Sequence, residues 1–146
     1  MKIRRSEKRD LVQLTILFNK YRMFYNKPSD LEGCKVFIKR RLDNNDSCFF
    51  VATVKSQLIG FVQLYSSFSS VEMEKLYILN DLFVLEQFRH KGVADKLMQR
   101  AEEFANNNQA CRLVLETHKK NKIAQMLYIK RGWEMDAEHY FYNFKC

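Results

Sequence analysis

A chain of 146 residues is long enough for one hydrophobic core and too short for two comfortable ones, so a single domain spanning residues 1–146 is expected. With 47% hydrophobic and 29% charged residues it is neither disordered nor fibrous, and no apolar stretch nears the ~20 residues of a membrane helix. The net charge of +8 raises nucleic acid as a partner, but acidic residues are interspersed with the basic ones, so none is expected.

In chain order, residues 2–5 suit a short strand. Leu11, Leu14, Phe18, Tyr21 and Tyr25 then recur at helical spacing, with Ser6 and Arg9 as an imperfect cap. No apolar secretory core lies between, which points to the cytoplasm. Pro28 breaks the first helix, and Asp30 caps a second whose inner face is Cys34, Phe37, Ile38 and Leu42. The turn at 44–46 leads into the apolar run 49–54, a strand buried on both faces. Residues 58–65 are its hairpin partner, 66–70 a polar turn, and 72–84 a long third strand.

From Gly92 the period changes, and Val93, Ala94, Leu97, Met98, Ala101, Phe104 and Ala105 form one helical stripe. A short strand at 113–117, a helix at 123–131 stopped by Gly132, and an aromatic strand at 139–144 complete the chain. A strand, helix, strand order around Val84, Ala94 and Leu115 implies a crossover with parallel pairing. The expected fold is therefore α/β, in an α+β three-layer form: a mixed, mostly antiparallel sheet of six to seven strands with helices on both faces.

Chemistry concentrates where the strand ending at Val84 passes through a loop into the helix at Val93. A helix N-terminus presents backbone N–H groups and the positive end of its dipole to an anion. Gly92 permits close approach, Ala94 keeps the next turn slim, and Arg89 and Lys91 add positive charge, so a pyrophosphate suits the site. A glycine that merely starts a helix explains the same residues about equally well on spacing alone. Cys34, Cys48, Cys111 and Cys146 have neither disulfide-scaffold nor metal-ligand spacing. His90 and His139 have no metal-ligand spacing with any cysteine or carboxylate, so no metal is expected.

The run Asn80-Asp81-Leu82-Phe83-Val84 followed by Arg89-x-x-Gly92-x-Ala94 resembles the acetyl-CoA signature of the GNAT superfamily of N-acetyltransferases. Downstream, Asn121-x-x-Ala124-x-x-Leu127-Tyr128-x-x-x-Gly132-Trp133 is similar to the family's second pattern. The resemblance implies a GNAT-like fold, acetyl-CoA as cofactor, and transfer of acetyl to a small-molecule amine or a protein lysine. It implies that main-chain groups around Leu82, Phe83 and Val84 bond the pantetheine arm, with the Val84 N–H polarising the acetyl carbonyl. Backbone donors from Arg89 through His90, Lys91, Gly92, Val93 and Ala94 to Asp95 would hold the pyrophosphate, with Asn121, Ala124 and Tyr128 also on the cofactor. Lys119, Lys120 and Lys122 are either a phosphate-neutralising group or a solvated basic loop.

The resemblance assigns Tyr128 the protonation of the departing thiolate, a task suited to a phenol that keeps its proton at neutral pH. An alkylammonium must lose a proton before it can attack, and Asp81 is the expected acceptor, with Glu116 and His118 in reserve. Tyr25, Asp81 and Glu116 are expected to line the acceptor pocket. Where polyamine-acetylating members carry two acidic residues, this chain has Asn80 and Asp81. Direct attack in a ternary complex needs no acylated cysteine, and Cys48 and Cys111 are read as buried small hydrophobes. The exposed aromatic face of 139–144 suggests a homodimer. Two other classes remain open: a basic nucleic-acid-binding module using Lys39, Arg40 and Arg41, and a coenzyme A-binding regulatory domain without turnover.

Overall fold

The computed structural model describes residues 1–146, which divide into two compact units, Met1–Leu115 and Glu116–Cys146. The first unit holds β1 (Lys2–Arg5), α1 (Leu11–Phe24), α2 (Leu31–Asn44), β2 (Ser47–Val54), β3 (Gln57–Ser69), β4 (Glu74–Val84), α3 (Val93–Asn107) and β5 (Arg112–Val114). The second holds α4 (Lys122–Lys130).

The strands form one sheet in the order β1-β2-β3-β4-β5, antiparallel except for the parallel β4–β5 pair that α3 connects. Side chains alternate across it. Phe49, Val51, Phe61 and Phe83 face Leu14, Leu17 and Phe18 of α1 and Cys34 and Ile38 of α2. On the opposite face Phe50 and Tyr77 meet Phe104 of α3 (centroids 5.3 and 5.2 Å apart), whose buried stripe is Val93, Leu97, Met98, Ala101 and Ala105. Three layers and a mixed sheet are as expected.

Five strands form rather than six to seven. Residues 139–144 make no strand, and Tyr140, Phe141, Tyr142 and Phe144 are 80% to 91% exposed. Aromatic residues fit a half-buried pleated surface, but a strand exists only where a neighbour completes its ladder, and these residues have none in this chain. The expected strand at 113–117 shrinks to Arg112–Val114, while β3 runs on to Ser69, through most of the expected turn.

Three side chains hold the first layer in place. Asp30 caps α2 by accepting from Gly33 N (2.8 Å). Buried Asn19 of α1 accepts from Asp30 N (2.9 Å) and donates to Ser29 Oγ (2.9 Å), fixing where α2 begins. Gln13 accepts from Leu58 N (2.9 Å) and donates to Ser56 O (3.1 Å), tying α1 to the β2–β3 turn. At the N-terminus, the Arg4 guanidinium donates twice to the buried Asp10 carboxylate (2.6 and 2.7 Å), which also accepts from Glu7 N (2.8 Å). That bond, not Ser6, caps the turn before α1.

Candidate functional site

The first feature is an incomplete sheet edge. β5 pairs with β4 only from Leu76 to Ile78, yet β4 continues to Val84. The Leu85 N–H donates to Ile59 O (2.9 Å), and the alternation of an antiparallel ladder then turns the main-chain groups of Val84 and Leu82 away from β3. They face the side on which β5 has already ended. An extended ligand can bond there as an added strand. Gly60, opposite Val84, keeps the two strands close: a Cβ on it would lie 2.7 Å from Phe83 O.

The second feature follows directly in the chain. After Val84 a short 3-10 turn, Glu86–Phe88, leads into a loop in which His90 (φ 59°) and Gly92 (φ 74°) are left-handed. Lys96 N bonds Gly92 O (3.1 Å), so the earlier amides of Val93 and Ala94 lie outside the ladder of α3 and point out of its N-terminus. A Cβ placed on Gly92 would meet nothing within 4 Å, so an anion can approach the backbone closely. Leu82, Phe83, Val84 and the loop from Arg89 to Asp95 thus form one continuous stretch.

Within that loop two basic side chains have other partners. Arg89 donates from Nε to Val84 O (3.0 Å), and its guanidinium lies over Phe24 (5.4 Å) and Phe83 (5.7 Å). It braces the loop against β4. Lys91 Nζ donates to Gln87 O (2.9 Å). The backbone, more than these side chains, is arranged for an anion.

The third feature is a buried carboxylate. A bulge in β4 leaves Asn80 unpaired between Leu79, opposite Leu64, and Asp81, opposite Gln63. The bulge switches the alternation. Tyr77 lies against α3, whereas Asp81 and Phe83 share the α1 face. Asp81 is 5% exposed and accepts from Asn80 Nδ2 (3.2 Å) and from the Tyr21 hydroxyl of α1. Burial dominates and raises its pKa above the ordinary carboxylate value, while both hydrogen bonds oppose the rise. Burial, and after it the Asp81 charge, also raises the pKa values of Tyr25 and Tyr65. Asp81 and Tyr25, both expected at the acceptor site, are therefore electrostatic neighbours.

In the second unit, Asn121 caps α4 by accepting from Ala124 N (3.3 Å), and Gln125 donates to Lys119 O (3.0 Å) and His118 O (3.3 Å). Lys119, Lys120 and Lys122 are exposed on this pinned loop. Tyr128 is half-buried beside Trp133 (centroids 6.2 Å apart), and the helix ends with Trp133 N bonding Tyr128 O (3.0 Å) past left-handed Gly132. Glu116 is exposed.

Of the cysteines, Cys48 is buried and its thiol pushed up by burial, whereas Cys111, expected buried, is half-buried at the start of the short edge strand. In the expected basic cluster, Lys39 pairs with Asp43 and Arg41 with Asp46 (2.7 Å).

A sheet edge left open beyond a short parallel strand, followed by a glycine turn into a helix N-terminus, suits an extended ligand that carries an anionic group. The chain belongs to the acetyltransferase (GNAT) family, whose model matches residues 14–133, and it is an enzyme of the N-acetyltransferase class. It is 43% identical over 145 residues to the uncharacterized N-acetyltransferase YhfO of Bacillus subtilis (strain 168), covering 98% of this chain and 97% of that protein. A crystal structure of a probable acetyltransferase superposes with TM-score 0.95 at 36% identity, covering 100% of this chain and 98% of the other. The fold is shared with AAC(6')-Iy, solved in complex with the bisubstrate analog CoA-S-monomethyl-acetylneamine (TM-score 0.80, 22% identity, 99% and 98% covered).

Proposed function

We propose that residues 1–146 act as one domain that transfers acetyl from acetyl-CoA to a primary amine by direct attack in a ternary complex. The observation that carries this reading is that the main-chain groups of Leu82 and Val84 turn toward the open edge beyond β5, and that the chain then runs on into the loop over Gly92. When bound, acetyl-CoA supplies an activated thioester. The Val84 N–H serves as donor to the acyl oxygen, and the amides from Arg89 to Asp95 receive the pyrophosphate. By resemblance, Asn121, Ala124 and the lysine loop are also assigned to the coenzyme.

Asp81 takes a proton from the acceptor ammonium and leaves a lone pair on nitrogen; its raised pKa narrows the gap to the amine. With the coenzyme bound, the new N–C bond would form as the C–S bond breaks, Tyr128 would give its proton to the departing sulfur, and the second proton lost from nitrogen would restore the phenol through water. The high pKa of the Cys48 thiol supports a route without an acylated cysteine. Tyr25 and Glu116 are assigned to acceptor binding, and the acceptor is a small-molecule amine or a protein lysine. The cytoplasm, where acetyl-CoA is made available and thiols stay reduced, suits four free cysteines. A second copy is proposed to cover the aromatic residues of 140–144; a monomer mass in gel filtration would refute it.

The deciding experiment is an acetyl-CoA-dependent thiol-release screen over diverse amines, with calorimetry for coenzyme A binding. Turnover with one amine class is expected, and Tyr128→Phe should lower kcat more than acetyl-CoA affinity. Coenzyme binding with no amine acetylated would mean a regulatory domain instead.

A further inference from the structure

The apolar stripe of α1 changes character toward its C-terminus. Leu14 and Phe18 are buried, Tyr21 is half-buried and Tyr25 is 47% exposed, so hydroxyls replace hydrocarbon as the helix leaves the core. At that end Tyr21 packs edge-on against Phe61 (centroids 5.9 Å, 79°), Phe83 (6.2 Å, 69°) and Tyr25 (5.1 Å, 70°). Contacts on three sides fix the ring, and its hydroxyl donates to Asp81. Tyr65, from β3, lies close enough to feel the Asp81 charge, and its hydroxyl accepts from Gln63 Nε2 (3.0 Å). Gln63 in turn is the ladder partner of Asp81.

We infer that Tyr21 is a positioning residue that holds the Asp81 carboxylate beside Tyr25 and Tyr65, so that these groups together receive the acceptor as a protonated aliphatic amine. The inference rests on the acetyl-transfer reading above and names the form in which its acceptor arrives. A carboxylate flanked by aromatic rings suits an ammonium in two ways, through charge and through the ring quadrupoles. The surroundings leave that role open. α1 contributes Tyr21 and Tyr25, β3 contributes Tyr65, β4 contributes Asn80, and no cation is among the groups that shift Asp81. The nearby guanidiniums are committed elsewhere, Arg89 to Val84 O and Arg41 to Asp46. One proton moves from the ammonium to the carboxylate, and water removes it once the product leaves.

The test is Tyr21→Phe, which keeps the packed ring and deletes only the hydroxyl, read by the pH profile of kcat/KM and by carbon NMR titration of the Asp81 carboxyl. The deleted bond lowers the Asp81 pKa, so the variant's carboxyl should titrate at higher pH and the acid limb of kcat/KM should move with it. At neutral pH kcat/KM for the amine should fall about tenfold, with KM for acetyl-CoA unchanged. Tyr77→Phe, on the α3 face, should move neither reading. A carboxyl midpoint unmoved in Tyr21→Phe overturns the inference, whether or not the parent is active. A moved midpoint in a parent that acetylates no amine overturns the function itself and takes the positioning role with it.

Discussion

Asp10 and Asp81 are both buried aspartates, 4% and 5% exposed, yet their surroundings push them in opposite directions. Asp10, at the start of α1, faces the Arg4 fork and a backbone N–H, so its pKa falls below the ordinary carboxylate value, chiefly through the Arg4 hydrogen bonds. Asp81, beyond the β4 bulge, has only the neutral donors Tyr21 and Asn80, and burial wins. One is a completed ion pair that stabilises the fold. The other is a buried carboxylate without a counterion, a pattern consistent with the ammonium acceptor proposed above.

The largest effect expected from this contrast is on turnover. Asp81→Asn keeps the size of the side chain and the hydrogen bond from Tyr21 but removes the proton acceptor. Amine acetylation should fall by about 10²–10⁴ while acetyl-CoA affinity stays within about twofold. Steady-state kinetics with calorimetry separates the two, and full turnover in the variant would put the base elsewhere. Asp10→Asn should leave kcat nearly untouched and cost about 2–3 kcal/mol of stability by denaturant titration. That is below the usual figure for a broken buried pair, because Arg4 is 21% exposed and can turn to water. Arg4→Lys keeps the charge but loses the two-pronged geometry, and about 1 kcal/mol should go with it.

Only part of this contrast can be read along the chain. The stripe from Val93 to Ala105 and the glycine at its start are local patterns, and the structure repeats them. Asp81 was legible as a carboxylate near the end of the long strand that stops at Val84. Its burial was not, because the bulge at Asn80 appears only when β3 is laid against β4. Tyr21 read as one more apolar position of α1, since nothing in helical spacing says that its hydroxyl ends on a carboxylate 60 residues away. Asn19 and Gln13 were missed for the same reason, since each bonds main chain outside its own helix, and Gln125 was missed because its bonds to Lys119 O and His118 O need a loop geometry that helical spacing does not encode. The aromatic segment 139–144 failed the opposite way, with strand composition and no strand to pair with.

The smallest effect expected is also the one that separates the two aspartates by sign. The native state binds the Asp10 proton less tightly than the unfolded chain does, so its stabilisation is present above the unfolded value of about 3.9 and is lost as pH falls below it. The native state binds the Asp81 proton more tightly, so stability is lost as pH rises from about 3.9 through the raised native value, and the cost persists at neutral pH. Asp81→Asn removes that cost. The variant should therefore be slightly more stable than the parent at neutral pH, by a few degrees in Tm at about 2–4 °C per kcal/mol, and the gain should vanish below about pH 4. Asp10→Asn should show a deficit at neutral pH that also shrinks in acid. Thermal melts of the parent and both variants from pH 3 to 8 would show the two curves converging on the parent from opposite sides. If the Asp81→Asn curve lay below the parent at neutral pH, Asp81 would be a second structural carboxylate and the contrast with Asp10 would collapse.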